Sequence, residues 1–79
     1  MTQTNRELWI RIEAKLKFVL HQIENQLEDK DRSRIEEYFG YNEYGVARDL
    51  MVWLIETRAI ALTPEADAAL HDVATMFGE

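Results

Sequence analysis

His21 and His71 are the two side chains of this sequence that could move a proton near neutral pH or offer a ring nitrogen to a metal. Each has a carboxylate at same-face helical spacing, Glu24 three residues after His21 and Asp67 four residues before His71. A lone pair of that kind ordinarily makes a surface hydrogen bond, whereas a metal site takes three or more protein ligands. With no cysteine in the chain, such a site would have to draw both histidines together from different helices. No metal and no cofactor are therefore expected. Glu28-Asp29 and Glu36-Glu37 are adjacent in sequence, which on a helix turns their carboxylates about 100° apart. Neither pair makes an acid/base dyad, and no nucleophilic serine motif is present. The chain is not expected to be an enzyme.

Gly40-Tyr41-Asn42-Glu43-Tyr44-Gly45 has the glycine spacing of a phosphate-binding loop, but it continues Val46-Ala47 where that loop needs Lys and Ser/Thr. Glu43 would also sit where a phosphate belongs. A helix-turn-helix reading of the same turn fails on charge, because the following helix offers Arg48 alone against Glu43, Asp49 and Glu56. Charge is divided unevenly along the chain. Residues 1–34 hold seven basic and six acidic side chains, while residues 35–79 hold two basic and nine acidic ones, giving the net −6. A field of that sign repels nucleic acid and attracts basic protein surfaces.

The elements that must position these residues are helices. At 79 residues the chain is one domain, residues 1–79, which buries only about 60–65% of its unfolded surface and has little room for a deep active site beside a core. Leu8, Ile12, Leu16, Val19, Leu20, Ile23 and Leu27 recur at steps of three and four, predicting a helix over about 5–28 behind a capping box, Thr4-Asn5-Arg6-Glu7. Trp9, Ile10 and Phe18 fall partly outside that stripe. A second helix, about 32–40, opens at Asp31 or Ser33, buries Ile35, Tyr38 and Phe39, and ends where Gly40 permits a left-handed residue. Asn42 is the expected N-cap of a third helix, about 43–57, with Val46, Ala47, Leu50, Trp53 and Leu54 inward. Met51, Val52 and Ile55 spread its apolar surface around most of the circumference, so it is either central or shared with a partner. Thr63, Pro64 and Gly78 punctuate a fourth helix, about 64–77, with Ala66, Leu70, Val73, Ala74 and Phe77 inward. The expected fold is an all-α, compact, antiparallel four-helix bundle. The longest apolar run, Leu50 to Ile55, is too short to cross a bilayer, and the first residues lack the apolar core of a signal peptide, so the expectation is a cytoplasmic protein without membrane contact.

One stretch carries more information than the rest. Between Ile35 and Leu50 a short helix ends, Asn42 leads into the next, and Gly45 falls in its first turn, where glycine costs up to about 1 kcal/mol relative to alanine and predicts a close neighbour. Tyr41 and Tyr44 flank this corner among Glu37, Glu43 and Asp49. Tyrosine among carboxylates suits a protein-binding patch, and it equally suits packing at the end of a bundle.

The stretch resembles the MafI family of immunity proteins, small helical antitoxins encoded beside polymorphic secreted toxins of bacteria. The likeness rests on the Ile-Glu-x-Tyr helix end, on Asn42-Glu43-Tyr44-Gly45-Val46-Ala47, on Leu50, Leu54 and Glu56, then on Thr63-Pro64-Glu65 and the ending Met76-Phe77-Gly78. It covers roughly residues 35–78, with Arg48-Asp49 departing from the family pattern. The resemblance implies an antitoxin that binds a cognate toxin protein, a nuclease with a basic groove being the expected class. Glu37, Glu43, Asp49 and Glu56 would pair with toxin Lys/Arg, and Tyr41 and Tyr44 would act as anchors. The alternative from the residues alone is an oligomerising helical domain, a homodimer formed through Val52 and Ile55 of the third helix, with no toxin partner.

Overall fold

The computed structural model describes the backbone of residues 2–78 and the side chains of residues 6–78. Four helices follow one another, α1 over Thr2–Ile23, α2 over Asp29–Gly40, α3 over Tyr44–Thr57 and α4 over Pro64–Met76, with a single 3-10 turn, Glu24–Gln26, after α1. Among the described residues there is no strand, and the architecture is an all-α four-helix bundle. Its principal dimensions are 39 × 25 × 18 Å. The 22 residues of α1 span about 33 Å, most of the long dimension. This helix is the spine of the bundle: α4 lies along it, α3 also touches it, and α2 packs on α3.

The 3.6-residue period decides which side chains meet. Ile12, Leu16, Val19, Leu20 and Ile23 of α1 are buried, and Leu8 and Leu27 are half-buried at the ends of the same ridge. Ile35 and Phe39 of α2, Tyr44, Ala47, Met51 and Leu54 of α3, and Ala66, Ala69 and Val73 of α4 complete the core. The buried alanines of α4 leave little side chain between its backbone and α1, which allows close approach.

The helix ends depart from the sequence-based expectation in an ordered way. The start of α1 is helical from Thr2; the capping box expected at Thr4 falls on side chains outside the described residues. Helix α2 begins at Asp29, ahead of both Asp31 and Ser33, with Glu28 extended at the N-cap and making no side-chain cap bond. Asp31 instead turns inward, 9% exposed, with its Oδ2 2.7 Å from Arg58 Nη1. That contact lies outside hydrogen-bond angles and ties the start of α2 to the residue that ends α3. Gly40 stays helical, and Asn42 takes the left-handed conformation at φ 59°. Asn42 is thus the turn residue and not the cap; Glu43 holds the N-cap position of α3, its amide donating to Tyr38 O at 2.9 Å. A Cβ on Gly45 would meet nothing within 4 Å, so the close neighbour expected there is absent.

The other junctions follow the local chemistry. Thr63 Oγ1 accepts from the Ala66 amide at 3.1 Å, Pro64 opens α4, and Gly78 takes φ 82° beyond its end. At the end of α3, Ala59 adopts φ 50° and the Ile60 amide returns to Ile55 O at 3.0 Å. This is a Schellman closure with alanine where glycine is usual, and buried Ile60 supplies its apolar contact. Gln26 then bridges the two linkers, donating to Ala61 O and accepting from the Ala61 amide, each at 3.2 Å.

Candidate partner-binding surface

Helix α3 presents two different faces. Tyr44, Ala47, Met51 and Leu54 face inward at steps of three and four. Val46, Asp49, Trp53 and Glu56 fall within about 80° of one another on the opposite side, and all four are exposed. Trp53 is 57% exposed and Val46 is 46% exposed, so the helix carries an outward indole and isopropyl group seven residues apart, about 10 Å along the axis. This corrects the inward stripe expected from the sequence, which placed Val46 and Trp53 in the core. Val52 and Ile55, expected as a homodimer seam, are half-buried instead, beside Leu62, Leu70 and Ala74 in the groove between α3 and α4. They do not form an outward face.

Many carboxylates of the bundle are paired with cations, and those of the outer face of α3 and of the corner before it are not. Lys15 pairs with Asp72 at 3.0 Å, Lys17 with Glu13, Lys30 with Glu28, Arg32 with Asp29 and Glu36, and Arg58 with Asp31 and Glu28. Among the described residues no ion pair or side-chain hydrogen bond engages Glu37, Glu43, Asp49 or Glu56. All four are exposed. Arg48, the one basic side chain of α3, lies with its guanidinium 5.9 Å from the centre of the Phe77 ring, on the side of α4. The outer face of α3 therefore keeps its negative charge uncompensated, with an aromatic group in its midst.

The two tyrosines of the corner part company. Tyr41, the residue after α2, is 69% exposed and stands beside Glu37 and Glu43 at the N-terminal end of α3. Tyr44 is 7% exposed, and its hydroxyl lies 2.8 Å from Glu13 Oε1 and 3.0 Å from Asn42 Oδ1. Its ring packs against Trp9 and Phe39. Burial, and then the Glu13 hydrogen bond and charge, push the Tyr44 hydroxyl above its ordinary pKa of 10.0. Tyr44 is thereby a core and linking residue and not an exposed aromatic; the exposed aromatic of α3 is Trp53. The sequence signal for Trp53 was indirect: a helix apolar on nearly all sides must show some of that surface outward.

His21 lies 3.6 Å from Glu24, and His71 lies 3.7 Å from Asp67, with His71 Nδ1 also 3.0 Å from the Asp67 carbonyl. Among the described residues no three His, Cys, Asp or Glu side chains come together in a way that could hold a metal ion. No helix among them is long and apolar enough to cross a membrane. Comparison with protein-family models, curated proteins and solved structures finds no match for the chain.

Proposed function

We propose that this chain is an immunity protein, an antitoxin that binds a cognate toxin protein through the outer face of α3 and the corner before it. The observation that carries the reading is the exposed Trp53 on one helix face with Asp49 and Glu56, carboxylates without cations. An outward indole beside Val46 is the kind of group that buries area at the centre of an interface. Carboxylates with no internal partner lose nothing inside the fold when they meet external Lys/Arg, and they steer association with a basic surface. The resemblance of residues 35–78 to the MafI immunity proteins supports the same reading. A toxin whose active site handles nucleic acid, and so displays a basic groove, fits this face best.

A second copy of the chain is a poorer occupant. An isologous dimer through this face would set Asp49 and Glu56 near their own counterparts, like charge against like. Light scattering at high concentration is expected to give a monomer.

The test is to sequence the genes beside this one and to co-express the chain with the product of any toxin-sized reading frame found there. Growth rescue by the wild-type chain, lost in Trp53→Ala and in Asp49→Lys with Glu56→Lys while the helical circular dichroism is unchanged, is the expected outcome. Rescue undiminished by all three substitutions removes this face from the mechanism, and no rescue or complex with the wild-type chain sinks the antitoxin reading.

A further inference from the structure

Gly45 is a glycine that the fold does not require. It is the second residue of α3, its φ lies outside the left-handed range, and a Cβ built on it would meet nothing within 4 Å. Inside a helix glycine is less stable than alanine, because it loses more backbone freedom and exposes the main chain to water. Gly40 is equally free of neighbours, but it is the last residue of α2, and glycine is common at a helix end. The helical period sets Gly45 on the outer face of α3. Gly45, Asp49 and Glu56 fall within about 40° of one another, with Trp53 and Val46 to one side. Along the axis Gly45 stands about 6 Å from Asp49 and about 12 Å from Trp53. The bare backbone therefore opens onto the strip that carries the exposed indole and the carboxylates without cations.

We propose that Gly45 is the point of closest approach for the partner of this face. A Lys/Arg-bearing segment of the toxin rests directly on the Gly45 backbone, its cations reach Asp49 and Glu56, and Trp53 walls one side. This deepens the antitoxin reading and rests on it. A helix face without a Cβ lets a neighbouring chain come nearer than a side chain would allow. Nearness matters here, because an ion pair open to water is weak and strengthens as the partner excludes solvent. Charge decides the occupant. A second copy would set Asp49 and Glu56 against like charge, and nucleic acid would be repelled by the same carboxylates. A neutral protein surface would cover them without pairing them. A basic protein segment is the occupant that pairs them. The missing methyl group thus lowers helix stability in the free chain and leaves room for contact in the complex.

The experiment uses the full chain and, as probe, the purified product of the toxin-sized reading frame found beside its gene. Affinity is read by titration calorimetry, and the Tm of each free variant by circular dichroism. Gly45→Ala should raise the Tm of the free chain by about 2–8 °C and weaken the complex by about tenfold. Gly45→Leu, which fills more of the strip, should weaken it by about a hundredfold or more while the free chain stays at least as stable as the wild type. Ala68→Leu adds the same kind of bulk at an exposed position in the groove between α1 and α4, and should leave affinity unchanged. Higher stability with lower affinity is the expected signature, because a merely structural glycine would not move the two in opposite directions. Equal binding by the wild type and Gly45→Leu overturns the proposal and leaves the α3 reading to stand or fall on Trp53→Ala. A loss in Ala68→Leu as large as that in Gly45→Leu overturns it also. A wild-type chain that forms no complex overturns the antitoxin reading, and this inference with it.

Discussion

Tyr44 gives the sharpest test of how this domain is divided between architecture and recognition. Its ring sits in the core between Trp9 and Phe39, and its hydroxyl joins α1 to the α2–α3 corner through Glu13 and Asn42. Tyr44→Phe deletes one hydroxyl and leaves Glu13, whose side chain is 33% exposed, and exposed Asn42 free to take water in its place. The expected cost is then the net value of a hydrogen bond, about 1 kcal/mol, without the larger penalty of a stranded buried group. For a domain of this size about 1 kcal/mol lowers Tm by about 4–8 °C. Tyr44→Ala removes the ring as well, for which large-to-small core changes suggest about 3–5 kcal/mol. Total stability for 79 residues is on the order of 4–12 kcal/mol, so this variant should lose a large fraction of it and melt roughly 12 °C or more below the wild type. Thermal unfolding followed by helical circular dichroism measures both. The pH dependence supplies a further check. Folding raises the Tyr44 pKa above 10.0, so its contribution is fully present below about pH 10 and is lost as pH rises through the raised value. The stability gap between wild type and Tyr44→Phe should accordingly be constant at neutral pH and narrow in alkali. If Tyr44→Ala melted like the wild type, the ring would not be part of the core and its inward placement would be wrong.

Other substitutions probe single steps of the same reasoning. Gly45→Ala should stabilise by about 0.5–1 kcal/mol in chemical denaturation, because its Cβ meets nothing and the position is helical. Ala59→Gly should add about 1 kcal/mol by relieving a non-glycine residue at φ 50°, and a destabilised variant would contradict the Schellman reading of that corner. Arg58→Met strands the Asp31 carboxylate and should cost about 1–3 kcal/mol, most of it restored when Asp31→Asn is combined with it in a double-mutant cycle. If the chain is the antitoxin proposed above, then in stopped-flow association with its toxin Asp49→Lys with Glu56→Lys should slow the on-rate by tenfold or more, on the order expected for lost steering, and flatten its salt dependence. An on-rate that stays salt-dependent and unchanged would place the electrostatic contact elsewhere.

Local chemistry made much of this protein legible without coordinates. The α1 ridge from Leu8 to Leu27, Ile35 and Phe39 of α2, Ala66 and Val73 of α4, and the Thr63-Pro64 start are set by a 3.6-residue period and by the donors and acceptors of a helix end, whereas the burial of Ala69 and Asp31 was not foreseen. The period and the end chemistry act over a few residues, so the order of residues along the chain suffices to find them. Helix three resisted because six consecutive apolar residues, Leu50 to Ile55, give the period no contrast, and only the positions of α1, α2 and α4 around it determine which side is covered. That is why Trp53 and Val46 emerged outward and Tyr44 inward, the reverse of the stripe expected from the sequence. The corner shows the same limit on a smaller scale. Gly40 and Asn42 can both adopt a left-handed backbone, and the choice of Asn42 goes with its side chain's bond to the Tyr44 hydroxyl, which also bonds Glu13, 31 residues earlier in the chain. The sequence could announce an acidic, tyrosine-rich corner. Which carboxylates were left without cations, and which aromatic stood among them, was decided by packing, since a charge becomes available to a partner only after the fold has paired the rest.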